Sequence, residues 1–202
     1  MTSTEATRAR IADVAEELFR SMGYQKTAVA DIARELGMSP ANVYRFYASK
    51  SAINEAITAR LLEGVSLKLE AVAAGGGSAE ARLHAITQEL LASSSTLFFK
   101  EKRMHDMVSA AMGEHWGVIT IYITRFVTTL ARVVGEGMAA GDFAPGDPLV
   151  AAQAIKACTM IWHHPAMLAE CMQEMGRTPE EMSVELRQAM ELLIAGLKRG
   201  VR

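Results

Sequence analysis

Apolar residues recur at three- and four-residue intervals through most of the chain, the spacing of helices that each bury one face. Ile11, Val14, Ala15, Leu18, Phe19 and Met22 form the first stripe and predict a helix over residues 5–22, ended by Gly23. Val29, Ile32, Ala33 and Leu36 form a second, shorter stripe. Gly37 stops it, because a residue without a side chain turns left-handed at little cost. Ser39 then stands as an N-cap, with Pro40 at the first helical position, where a missing N–H is not missed. The helix that follows has room for about two turns. Val43 and Phe46 fall on its inner face, and Asn42, Tyr44 and Arg45 project away.

Further along, a longer helix is expected over 50–73, with Leu62, Val65, Leu69 and Val72 at core spacing, before the glycine-rich break Ala74 to Ser78. Helices follow over 79–96, 104–112 and 115–140, with a polar interruption at Ser93 to Thr96. Asp147 and Pro148 cap and start the next helix, which runs to about His163 before Pro165 kinks or restarts it. Thr178 and Glu181 form a capping box for the last helix, 179–198.

The outward trio Asn42, Tyr44 and Arg45 suits base edges and phosphates: guanidinium to guanine, amide to adenine, phenol to a phosphate oxygen. A short capped helix after a glycine turn is the arrangement of a helix-turn-helix recognition element. An ordinary helical hairpin with a solvated polar face fits the same periodicity. Thr27 reads as the cap of the second helix, with Asp31 at its positive end. Lys50 is electrostatically odd at a helix start, and a nearby phosphate would explain it.

The run IADVAEELFRSMGYQKTAVADIARELGMSPANVYRFYASKSAINEAI resembles the N-terminal domain of the tetracycline-repressor (TetR) family of bacterial transcription regulators. It carries the family's Leu-Phe, Gly-Tyr, Thr, Ile-Ala, Gly-x-Ser, Val-Tyr, Phe and Lys in order; Ile53 replaces a commoner Leu, and Tyr47 follows the usual Phe. GMAAGDFAPGDPLVAAQAI is similar to the family's Gly-x-Phe…Asp-Pro connection before the penultimate helix. The resemblance implies an all-α protein: a DNA-binding domain over 4–64 with its motif at 27–46, joined by a long helix to a regulatory and dimerisation domain over 65–202. It places Thr27 at a phosphate, Ser39, Pro40 and Ala41 at the entry of the recognition helix, Asn42, Tyr44 and Arg45 in the major groove, and Tyr47 and Lys50 on the backbone. It further implies a cytoplasmic repressor that binds operator DNA as a homodimer, through about 149–167 and 179–198, and is released by a small apolar effector.

Composition narrows the picture. The chain has 202 residues, half of them hydrophobic, so it can bury a sizeable core. No apolar run approaches a membrane span, and Glu5, Arg8 and Arg10 lie where a signal peptide needs an apolar core. Net charge is −2, and up to Arg60 eight basic residues face seven acidic ones. Affinity for DNA must therefore come from placement, and nonspecific binding is expected to be weak. Abundant methionines and aromatics in the second half suggest an adaptable apolar pocket lined by Met104, Met107, Trp116, Tyr122, Phe126, Met160, Trp162 and His163, though ordinary core filling explains such residues as well. Adjacent His163 and His164 diverge on a helix, so no metal site is expected; no cofactor loop or catalytic constellation stands out. The alternatives are a helical binding or enzymatic protein whose helix-turn-helix is only a scaffold, and a regulator without an effector.

Overall fold

A computed structural model describes residues 3–100, 102–113 and 117–200; of 98–100 and 113 it describes the backbone only. Among the described residues, regular structure is helical throughout: α1 (Ser3–Met22), α2 (Val29–Glu35), α3 (Pro40–Tyr44), α4 (Lys50–Ala73), α5 (Ala79–Lys100), α6 (Lys102–Gly113), α7 (Gly117–Ala140), α8 (Pro148–Cys158), α9 (Pro165–Ala169) and α10 (Pro179–Arg199). The chain forms two compact units, Met1–Leu62 with Leu97–Thr120, and Glu63–Thr96 with Ile121–Arg202.

In the first unit Ile11, Ala15 and Phe19 of α1, Val29 and Ile32 of α2, Val43 of α3 and Ile53 and Ile57 of α4 share one core. Val14, Leu18 and Phe46 pack on it, while the expected Met22 is exposed. Met104, Met107 and Val108 of α6 belong to this same core. Arg103 fastens that helix by donating to the carbonyls of Arg20 (2.9 Å) and Ser21 in the last turn of α1. Arg60 on α4 pairs with Asp13 at 2.5 Å and with Glu16 of α1.

The second unit is built from the rest of α4, most of α5 and α7, and α8 to α10. Gln88 and Ser183 exchange two hydrogen bonds, the Gln88 amide to the Ser183 carbonyl at 2.9 Å and the Ser183 hydroxyl to Gln88 Oε1 at 2.7 Å. Arg125 of α7 grips Glu70 of α4 with two nitrogens and reaches Glu63 at 2.5 Å. A Cβ on Gly137 would fall 2.5 Å from the Phe143 ring and 2.7 Å from the Ala79 Cβ, so only glycine permits that approach. Among the described residues α7 is the one helix long and apolar enough to cross a membrane. Its Leu130, Val133 and Val134 are fully buried, its Ile121 is exposed and its Arg125 is ion-paired.

Three expectations about elements need correction. α5 runs unbroken through Ser93 to Thr96, with the Ser93 hydroxyl bonded to Glu89 one turn back. Ala28, not Thr27, caps α2: its N–H is held by the Asp31 carboxylate at 2.9 Å. α8 stops at Cys158 rather than near His163. The Thr159 hydroxyl bonds back to the Ile155 carbonyl, and a single 3-10 turn, Met160–Trp162, carries the chain to His164. His164 is extended (ψ 123°), as a residue before proline prefers. A π turn, Glu170–Glu174, then follows α9.

Candidate nucleic-acid interface

The turn between α2 and α3 is built entirely from local bonds. Gly37 is left-handed (φ +66°), its N–H bonds to the Arg34 carbonyl at 3.1 Å, and the Met38 N–H reaches back to Ala33 at 2.8 Å. These two bonds close α2 in a Schellman motif. Ser39 Oγ then accepts the Asn42 N–H at 3.2 Å, and Pro40 opens α3. Val43 is completely buried and anchors the short helix to the core. Ser39, Pro40, Ala41, Tyr44 and Arg45 are exposed around it, and Asn42 is half-buried. The anchor fixes the helix's rotation, so the amide, the phenol and the guanidinium leave from a determined face.

Three residues expected at the phosphate backbone each make contacts inside the unit. Thr27 is 1 % exposed and donates its hydroxyl to the Gly23 carbonyl at 2.9 Å. Tyr47 is buried and donates to the Arg8 carbonyl at 3.2 Å. Lys50 Nζ donates to the carbonyls of Tyr24 (3.0 Å), Thr27 (3.1 Å) and Gln25 (3.4 Å) and lies 4.5 Å over the Tyr24 ring. Thr27 and Tyr47 are nearly buried, at 1 % and 6 % exposure, while Lys50 is half-buried with three carbonyls around its ammonium. Arg8 holds its guanidinium 4.7 Å over the Tyr47 ring, which brings an exposed cation beside the residues that follow α3. Nothing local in the sequence announces that pairing.

The Asp31 carboxyl lies below its ordinary value, chiefly because it accepts the Ala28 N–H and then because Arg34 pairs with it. That carboxylate therefore offsets the positive end of α2.

The expected effector residues divide. Met104 and Met107 are fully buried in the core of the first unit, among Ile11, Phe19 and Ile57, and not in the second unit. Trp116 lies outside the described residues. In the second unit Phe126 meets His163 edge-on at 5.7 Å, and Tyr122 lies one turn before Phe126 on α7. Met160 and Trp162 are half-buried in the adjacent 3-10 turn. The Thr159 hydroxyl, which donates to the Ile155 carbonyl, lies 3.4 Å from His163 Nε2. Burial pushes the His163 pKa down to about 4, helped by His164 and Lys156. Burial also raises the Tyr122 phenol, so both groups stay neutral and hydrogen-bond capable at pH 7.

An all-helical chain that presents a capped, core-anchored helix of this kind has the architecture of a helix-turn-helix DNA-binding regulator. Residues 11–57 match the family model for bacterial regulatory proteins of the tetR family, and residues 79–181 match that of the tetracyclin repressor-like C-terminal domain. The chain belongs to the TetR family of transcriptional regulators. A transcriptional regulator of mycofactocin biosynthesis from Mycobacterium tuberculosis, MftR, is 49 % identical over 43 residues, which is 21 % of this chain and 22 % of that one. A TetR-family regulator from Pectobacterium atrosepticum superposes over the full length of both chains, with a TM-score of 0.75 and 18 % identity. A TetR/AcrR-family regulator from Thermobifida fusca is 26 % identical over 95 % of this chain and 98 % of its own, with a TM-score of 0.59.

Proposed function

We propose that this regulator is a repressor whose α3 enters the major groove of an operator and whose DNA affinity is lowered by a small apolar effector. The observation that carries the reading is the contrast on α3: Val43 locked in the core while Tyr44 and Arg45 stand exposed beside it. Asn42, Tyr44 and Arg45 are the base-facing set, with Ser39, Pro40 and Ala41 at the entry. Residues 4–64 form the reading head, and 65–202 supply regulation and dimerisation; α6, from the latter stretch, completes the head's core. A helix this short reads only a few base pairs, so two copies would read half-sites about 34 Å apart. Apolar side chains left exposed on α8 and α10, Leu149, Val150, Val184 and Leu192, support pairing through about 149–167 and 179–198. Phe126, Tyr122, His163, Met160 and Trp162 are the effector-facing set. The protein acts in the cytoplasm, where its operator is.

Selection of bound sequences from random DNA tests the reading. It predicts enrichment of one palindrome with half-sites spaced by a helical turn; enrichment of nothing overturns it.

A further inference from the structure

Lys50 opens α4, where the positive end of the helix dipole disfavours a cation. Its surroundings supply the compensation. The carbonyl oxygens of Tyr24, Gln25 and Thr27 converge on the ammonium, and the Tyr24 ring closes the side beneath it. All three carbonyls belong to the link between α1 and α2. That link leaves α1 at left-handed Gly23, packs Tyr24 edge-on against Phe19 at 5.2 Å, and ends at Ala28, the cap of α2. Lys50 supplies donors to these carbonyls from 23 or more residues away; the bonds to Tyr24 and Thr27 are half-buried and the one to Gln25 is exposed.

We propose that Lys50 is a positioning residue for DNA reading: a clamp that ties the start of α4 to the link before α2 and so fixes how the α2–α3 pair is presented. It acts through the link, not by neutralising a phosphate. The functional half of this inference rests on the operator-binding reading above; the clamp itself does not.

The two roles separate in measurement. In free wild-type protein, a clamped Lys50 reacts with an amine-acylating reagent more slowly than exposed Lys26, read by mass spectrometry. Lys50→Met keeps the apolar stem and deletes the donors, so amide exchange at Asp31 to Ala33 quickens without DNA present. Tyr24→Leu, which leaves Lys50 in place, quickens the same amides to a smaller extent. With operator DNA, Lys50→Met weakens binding while the slope of log K against log salt is unchanged. Lys50 reacting as fast as Lys26, exchange unaltered in both variants, or a salt slope smaller by about one phosphate overturns the clamp. If no operator binding is found at all, reactivity and exchange still decide the clamp, so its failure is distinct from failure of the DNA reading.

Discussion

Val43 and Tyr44 are neighbours in sequence and opposites in exposure, at 0 % and 50 %. One peptide unit separates the side chain that holds α3 from one that α3 offers. Val43→Ala removes two buried methyl groups and leaves a void, so it should lower stability by about 1–3 kcal/mol. Tyr44→Ala should leave the melting temperature nearly unchanged and weaken operator binding. Thermal melts and gel shifts on both variants check the division; the reverse pattern would contradict it.

Two glycines should respond oppositely to alanine. At Gly137 the new Cβ meets the Phe143 ring at 2.5 Å, so the loop after α7 must move, at a cost of about 1–3 kcal/mol. At Gly64, inside α4, a Cβ meets nothing within 4 Å, so alanine should stabilise by about 0.5–1 kcal/mol through helix propensity alone. Urea midpoints of the two variants decide it.

His163 gives stability a pH dependence. Its folded pKa of about 4 lies below the ordinary 6.5, so between those values the unfolded chain binds the proton that the folded one refuses. The penalty is absent above pH 6.5, grows as pH falls towards 4, and reaches at most about 3 kcal/mol. A urea series from pH 8 to 4 should therefore show falling stability, and His163→Gln should flatten that window. An unchanged profile would mean that the ring is not buried as described.

Leu192 is 77 % exposed and Val184 is 52 % exposed on α10. If they face a second copy, Leu192→Asp should shift the protein from dimer to monomer in sedimentation velocity and abolish tight operator binding, with the helix content kept. A dimer that survives this change, and the same change at Val184, would place the interface elsewhere.

Much of the architecture was legible because its signals are local. Gly37, Ser39 and Pro40 mark a Schellman end and an N-cap within four residues, and the structure makes each bond they announce. Thr178 and Glu181 likewise form both bonds of the capping box. What escaped depends on partners far along the chain. Thr27 looked like a cap because threonine is a good one, but its hydroxyl finds Gly23 instead. Tyr47 is explained by Arg8 and Lys50 by residues 24–27, pairings that no periodicity encodes. Met104 and Met107 read as pocket residues because methionine suits pockets; the fold uses them to fill the head. The early end of α8 reflects a competition between Thr159's back-bonding and a proline six residues on, which spacing alone does not resolve.

The most direct measurement is a gel shift of wild type and Arg45→Ala on the DNA flanking the protein's own gene, across a salt series. A guanidinium that reads a base should cost about 1–3 kcal/mol when removed, a loss of about 5- to 150-fold, with discrimination relaxed at one operator position. Wild-type binding that Arg45→Ala leaves equally tight and equally selective would contradict the assignment of α3 as the reading helix.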